Sequence, residues 1–341
     1  MQSKLISCLS LILALFLFTA CESGVEINSK SSGLLEEESA VVTEDNILET
    51  PSSSGINPVD PNPEAYLSSG NTAAPEATDP VLSGITLPDP NSSGQAPPSQ
   101  VQINANPDLN SLNGLDTTRK DWGPGLNMDE NNRPVGSTSY QDLYGKYQAW
   151  FIGENQPQVY LTFDNGYENG CTTPILDTLK EKNCPAIFFV TLSYVKNNPE
   201  LIQRMIAEGH TLGNHTANHP EMPNISLEKQ IAEIMELHNY LKENYNYDMY
   251  LFRYPAGVFN EQSLALLQKM GYQSVFWSFA YKDWLTDDQP DPTESLDLLN
   301  KRMHPGAIYL LHAVSQTNTQ ILGSFIDQTR QSGYQFAQFT P

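Results

Sequence analysis

Basic residues are scarce in this chain of 341 amino acids: 18 Lys and Arg stand against 40 Asp and Glu, a formal charge of −22. A surface of that sign repels phosphates, which excludes nucleic acid as a partner. Cysteine is nearly missing as well, with four residues in all, Cys8, Cys21, Cys171 and Cys184. So few say nothing about redox state, since Cys8 falls in an N-terminal export signal and Cys21 just after it. Cys171 and Cys184 flank an apparent helix whose length holds them too far apart to pair, so they read as buried free thiols. Long apolar runs are also absent. The longest, from about Leu9 to Phe18, falls well short of the ~20 residues that a membrane-spanning helix needs. It follows Lys4 and precedes Thr19-Ala20-Cys21, which is the order of an export signal over residues 1–20.

Residues 21–118 lack what a folded domain requires. Aromatics are few, Ser-Ser-Gly and Pro recur, and between 22 and 118 there are 15 acidic residues and one lysine. Such a segment cannot bury enough apolar surface to offset its ordering entropy, so it is expected to be a disordered acidic tether. A flexible chain of that length spans roughly 55 Å. Cys21, following a small residue, resembles the lipid-bearing cysteine of bacterial lipoproteins. That resemblance implies two acyl chains, which suffice for stable attachment where one does not. The expectation is an extracytoplasmic, membrane-anchored lipoprotein of the cell envelope.

From residue 158 onward, strand-like and helix-like patterns alternate. Strands are expected at Gln158–Phe163, Ala186–Thr191, Thr211–Asn214, Tyr250–Arg253, Gln273–Ser278, Ala307–Leu311 and Tyr334–Phe339. Between them, Pro199–Glu208, Leu227–Glu243 and Asn260–Met270 carry helical signals. Ser226 is a cap for the second, and Gly271 ends the third. Strands separated by helices pair in parallel through βαβ crossovers. The fold class is therefore α/β, either a small and incomplete β/α barrel over 158–341 or an open doubly wound sheet; periodicity does not separate the two. Residues 119–157, with Trp122-Gly-Pro-Gly and an aromatic stretch from Tyr140 to Phe151, form an N-terminal extension that packs on this domain.

Chemistry-bearing residues collect at the carboxyl ends of these strands: Asp164 after the first, His215 after the third, Arg253 at the fourth, Asp283-Trp284 after the fifth and His312 at the sixth. Parallel β/α folds place all those ends on one face, where active sites form. Asp164 is a candidate general base, with Arg253 as the cation that orients it and lowers its pKa. His215 and His219, four apart, would share one side of a helical turn and suit a common metal ion. His312 is a candidate general acid, which Asp283 tunes.

Together these residues resemble the polysaccharide deacetylase family with the NodB homology domain, carbohydrate esterase family four. The family pattern Thr-Phe-Asp-Asp-Gly stands here as Thr162-Phe163-Asp164-Asn165-Gly166, and its His-x-x-x-His as His215-Thr216-Ala217-Asn218-His219. Arg253-Tyr254-Pro255-Ala256-Gly257, Asp283-Trp284 and Leu310-Leu311-His312 match the remaining motifs in order. The resemblance implies a distorted (β/α)7 barrel that hydrolyses N-acetyl groups on glycans. Asp164 would be the base, His312 the acid, and His215 and His219 ligands to a divalent metal ion, zinc or similar. Two positions depart from the pattern. Asn165 replaces the Asp that serves the family as third ligand, and a neutral amide binds cations more weakly. Ala280 replaces the first Asp of the fourth motif. The segments around Asn165 and Glu168-Asn169-Gly170 resemble a subgroup, the muramic δ-lactam-forming peptidoglycan deacetylases. That implies glycan strands of peptidoglycan as partner, acetyl removal from N-acetylmuramic acid, and a monomer tied to the membrane through Cys21.

Overall fold

The computed structural model describes residues 102–341. The expected signal 1–20, Cys21 and the part of the tether before residue 102 lie outside the described residues. The tether boundary expected at 118 does not hold. Residues 102–118 lie on the folded unit, with a 3-10 turn at Leu109–Leu112, Leu112 fully buried, and backbone bonds from Asn104 N to Met270 O and from Gln262 N to Asp116 O. The reason is a leucine spacing that composition averages away. Leu109, Leu112 and Leu115 recur every three residues, and a 3-10 turn places such residues on one side.

The strands are β1 (Lys120–Asp121), β2 (Ala149–Trp150), β3 (Gln158–Asn165), β4 (Ile187–Val190), β5 (Thr211–Asn214), β6 (Leu251–Phe252), β7 (Val258–Phe259), β8 (Gln273–Val275), β9 (Phe279–Ala280), β10 (Ala307–His312) and β11 (Gln335–Ala337). The helices are α1 (Val135–Tyr144), α2 (Thr172–Glu181), α3 (Leu192–Asn197), α4 (Pro199–Ala207), α5 (Leu227–Tyr245), α6 (Glu261–Met270), α7 (Pro292–Lys301) and α8 (Gln316–Gln331). The main sheet runs β2-β8-β6-β5-β4-β3-β10-β9, with β11 also on β3, and its pairs are parallel. β1 and β7 form a separate antiparallel pair.

This sheet curls into the distorted β/α barrel that the motifs implied, rather than an open sheet. The strand expected at Gln273–Ser278 is broken. β8 pairs with β6, then after residues 276–278 the chain resumes as β9 and pairs with β10. The same stretch therefore joins both sides of the curl. Burial explains why central strands are so apolar: every residue of Ile187-Phe188-Phe189-Val190 is buried, since a parallel strand has helices on one face and the core on the other. Each fully buried Phe or Ile there contributes about 1.5–3 kcal/mol.

Helix ends follow their sequence signals. Ser226 Oγ accepts from Lys229 N at the start of α5, and Ile234, His238 and Leu241 face inward. Asn260 and Ser263 form a reciprocal cap on α6, which Gly271 closes with φ 92°. Cys171 and Cys184 are buried free thiols, and burial pushes the Cys184 thiol up to about 12. Among the described residues no helix is long and apolar enough to cross a membrane.

Candidate active site

The β3–β10 register sets the site. It pairs His312 with Asp164 at the last rung, so two strands that start apolar end side by side in an acid and an imidazole. Asp164 is held from behind by Arg253, which leaves β6 with no exposed surface. The guanidinium makes four hydrogen bonds. Its Nη1 donates to Asp164 Oδ1 at 2.8 Å and to Thr162 Oγ1 at 2.8 Å, its Nε to Val275 O at 3.0 Å and its Nη2 to Phe276 O at 3.1 Å. Its Cζ lies 4.1 Å from the Phe189 ring centroid. The two carbonyls it uses belong to the last residue of β8 and the first of the break, so the interrupted strand is what feeds a buried cation.

Burial alone would push the Asp164 carboxyl up. The Arg253 charge, helped by His215 and His312, outweighs it and leaves the pKa below the usual carboxylate range. Burial likewise lowers the Arg253 pKa against the pull of Asp164, and a guanidinium stays charged in any case. Asp164 is thus an anion at neutral pH with a fixed direction.

The histidine pair comes together, though not by the expected helical turn. Residues 215–220 follow β5 as a loop in which Thr216 (φ 71°) and His219 (φ 55°) are left-handed. Side chains enforce this shape. Asn214 Oδ1 accepts from Thr216 N at 2.9 Å and Thr216 Oγ1 from His219 N at 2.8 Å, the local bonds that let short polar residues compete with helix. Glu233 of α5 accepts from Asn218 N and Nδ2. The result brings His215 Nε2 and His219 Nε2 within 3.1 Å, and His215 Nε2 within 3.6 Å of Asp164 Oδ2. His215 Nδ1 lies 2.9 Å from Arg253 O. With Nδ1 donating there, Nε2 keeps its lone pair, the orientation that metal-binding imidazoles use. Burial drops the His215 pKa to about 4 although Asp164 opposes it, so the ring is neutral.

The residues present fit a divalent cation with few protein donors. Two imidazole nitrogens 3.1 Å apart are spaced as two Zn–N bonds of about 2.0–2.1 Å would space them. Among the described residues no group of three or more His, Cys, Asp or Glu is arranged around one point. Asn165 is fully buried, and its Oδ1 and Nδ2 have no partner of hydrogen-bonding geometry, although the Tyr194 hydroxyl is close enough to interact. A buried carboxamide left so costs about 1–3 kcal/mol, which an added water or cation would relieve.

On the other side of Asp164, Asp283 is fully buried and gripped by three donors. His312 Nδ1 meets Asp283 Oδ1 at 2.6 Å, while His312 N (2.8 Å) and Asn318 Nδ2 (2.6 Å) donate to Oδ2. The imidazole is thereby fixed with Nε2 on its far side, and the Trp284 ring lies edge-on at 5.6 Å. Asn318, on α8, escaped the sequence reading. It also donates to His312 O and accepts from the Tyr281 hydroxyl. Ala280, where the family pattern has Asp, pairs with Leu310 in the sheet. The chain bends at Gly166, directly after β3. No positive φ marks it and an added Cβ would meet nothing within 4 Å; the left-handed glycine of that loop is Gly170, φ 76°. Glu168, in the subgroup-like segment, accepts from Thr172 Oγ1 and from Tyr194 Oη at 3.0 Å.

A sequence profile of polysaccharide deacetylases matches residues 152–275. The chain is 41% identical over 208 residues to the peptidoglycan-N-acetylmuramic acid deacetylase PdaA of Bacillus subtilis, covering 60% of this chain and 78% of that one. It is 30% identical over 195 residues to a peptidoglycan-N-acetylglucosamine deacetylase of Bacillus cereus, covering 56% and 90%. The solved structure of B. subtilis PdaA, a family 4 carbohydrate esterase, superposes with TM-score 0.62 at 37% identity over 65% of this chain and 95% of that one.

Proposed function

The chain belongs to the polysaccharide deacetylase family, and from that premise we propose that it hydrolyses the N-acetyl amide of N-acetylmuramic acid in peptidoglycan. The observation that carries this reading is the pair of strand ends, with Asp164 on Arg253 beside His312 on Asp283. It supplies an ionised base and an oriented imidazole flanking one point, as amide hydrolysis demands.

Asp164 takes a proton from the attacking water, and its direction is held by Arg253 throughout. The Tyr167 backbone N–H, in the loop after β3, is the donor we assign to the developing oxyanion. His312 passes a proton from Nε2 to the departing amine while Asp283 keeps Nδ1 engaged. His215 and His219, with Asn165 as a weak neutral donor, would hold a divalent cation such as zinc, which would polarise the acetyl carbonyl. On a muramic sugar the freed amine lies next to the lactyl carboxyl, so δ-lactam closure is sterically direct. The muramic preference rests on the likeness to the B. subtilis enzyme and on the Asn165 and Glu168-Asn169-Gly170 segments. We place the protein outside the cytoplasmic membrane, tethered through a lipid on Cys21, on the strength of the N-terminal sequence.

The test is mass spectrometry of glycan strands incubated with the protein, with and without chelator. Acetyl loss and then water loss on muramic residues is expected, with chelator abolishing both. Equal or faster acetate release from N-acetylglucosamine oligomers would move the substrate to glucosamine. No release from any glycan would leave a binding protein.

A further inference from the structure

The N-terminal extension takes no part in the chemistry above, yet Trp122, near its start, lies against the strand break that holds Arg253. Three consecutive carbonyls, from the last residue of β8 into the break, are engaged. Those of Val275 and Phe276 accept from Arg253. The third, Trp277 O, accepts from the indole Nε1 of Trp122 at 3.0 Å in a buried bond. Trp122 also reaches the other side of the cradle. Its backbone N donates to Gly257 O at 3.2 Å, next to the β1–β7 pair, four residues past Arg253. Gly257 is left-handed (φ 67°), and a Cβ there would come within 2.7 Å of the Trp277 ring and 3.3 Å of Trp122 Cβ. The close approach that makes position 257 a glycine is therefore to these two tryptophans. Around them the aromatic layer is tight. The Trp122 ring lies 4.6 Å from Phe151, which stacks on Phe276 at 4.2 Å and 7°.

We propose that Trp122 is a positioning residue for the base: it clamps the 275–277 bend against Gly257, so that Val275 and Phe276 present their carbonyls to Arg253, and Arg253 in turn fixes Asp164. The proposal rests on the hydrolytic reading of Asp164. A tryptophan that merely fills the core would add stability alone. One that acts through Arg253 must change turnover, and must stop doing so once Arg253 is altered.

The test uses the full chain with Trp122→Phe, and with benzothienylalanine at 122, which keeps the bicyclic ring and removes only the N–H donor. Each is made alone and with Arg253→Lys. Acetate release from glycan strands is followed well below the lower melting temperature. Both changes at 122 should lower kcat about tenfold to a hundredfold, the scale of a small misplacement of reacting groups, with KM within about twofold. In the Arg253→Lys background they should lower kcat no further, while the drop in melting temperature stays the same. An unchanged kcat, or an equal fall in both backgrounds, overturns the proposal. A readout independent of turnover is hydrogen exchange at Arg253 Nε–H by NMR. Exchange should speed at least tenfold in the benzothienylalanine protein; an unaltered rate overturns the clamp even if no glycan proves to be a substrate. An inactive wild type with accelerated exchange would instead count against the hydrolytic reading alone.

Discussion

Replacing Arg253 by Met keeps a long apolar stem in a fully buried site and removes one charge and four hydrogen bonds. Asp164, 11% exposed, is left as an anion without its counter-ion. Breaking a buried pair from one side costs about 3–5 kcal/mol. The pH dependence separates this cause from simple loss of packing. In the wild type the Asp164 pKa is depressed, so its stabilising contribution is present above the ordinary carboxyl value and lost as pH falls through the lower folded value. Without Arg253, burial dominates and the folded pKa rises above ordinary. The mutant then carries a penalty at neutral pH that eases as pH falls toward about 4, where folding no longer requires an unpaired anion. Urea unfolding at pH 7.5 and pH 4.5, in chelator so that no cation substitutes for the guanidinium, should show the gap between wild type and mutant narrowing at the lower pH. Any residual activity should lose its acid limb at higher pH than in the wild type. A gap below about 1 kcal/mol at pH 7.5, or one of constant size, would refute the claim that Arg253 serves as the counter-ion of a buried base.

The other side of the site makes a comparable demand. Asp283→Asn should cut kcat by about 10²–10⁴ with little change in KM, because one amide cannot accept from His312 Nδ1 and also from His312 N and Asn318 Nδ2; turnover within threefold of wild type would remove Asp283 from the mechanism. Asn165→Asp should tighten zinc binding, read by calorimetry, by at least the ~tenfold that even a neighbour of a metal ligand contributes, and unchanged affinity would take Asn165 off the donor set. His304 is buried between Arg302 O and Ser278 Oγ, with its pKa pushed down by burial to about 4. The unfolded chain therefore binds that proton first, and stability should fall between pH 6.5 and 4.5. His304→Gln should flatten that fall by up to about 3 kcal/mol, and identical pH slopes in the two proteins would contradict it.

The barrel and the strand-end places of Asp164 and His312 were readable because they depend on local runs. Val159 to Phe163 is apolar, β-branched or aromatic throughout and stops at Asp164, and Ala307 to Leu311 is apolar up to His312, so each strand and its polar end are written side by side. Other features depend on partners far away in sequence. Gln273–Ser278 reads as one strand, and it breaks because Arg253 claims the carbonyls of Val275 and Phe276. The His215–His219 spacing reads as a helical turn, and it becomes a left-handed loop because Asn214 and Thr216 bond the next backbone N–H groups first. Asn318 had no signal at all. It lies within the first turn of α8, where polarity is expected for capping, and only the tertiary fold brings its amide to Asp283. The Leu109, Leu112 and Leu115 triplet was visible but outweighed by the acidic, proline-rich composition before it.

Asn165 is better understood through its neighbour than through the metal alone. Two adjacent carboxylates at a buried strand end would raise each other's pKa unless a cation sat between them. With a neutral amide at 165, Asp164 is the anion that Arg253 faces at the end of β3, and that pairing keeps it ionised whether or not the imidazole pair carries a cation. The ionisation of the base and the polarisation of the substrate are thereby separated. The first is built into the protein by Arg253, which donates one hydrogen bond to Asp164 and is fixed by three others. In the proposed mechanism the second would fall to a cation on His215 and His219, whose Nε2 atoms are held 3.1 Å apart by a loop that Asn214, Thr216 and Glu233 keep in place. An exchange that weakens metal binding therefore need not disarm the base, which is why the substitution at 165 reads as a variation on the site and not as its loss.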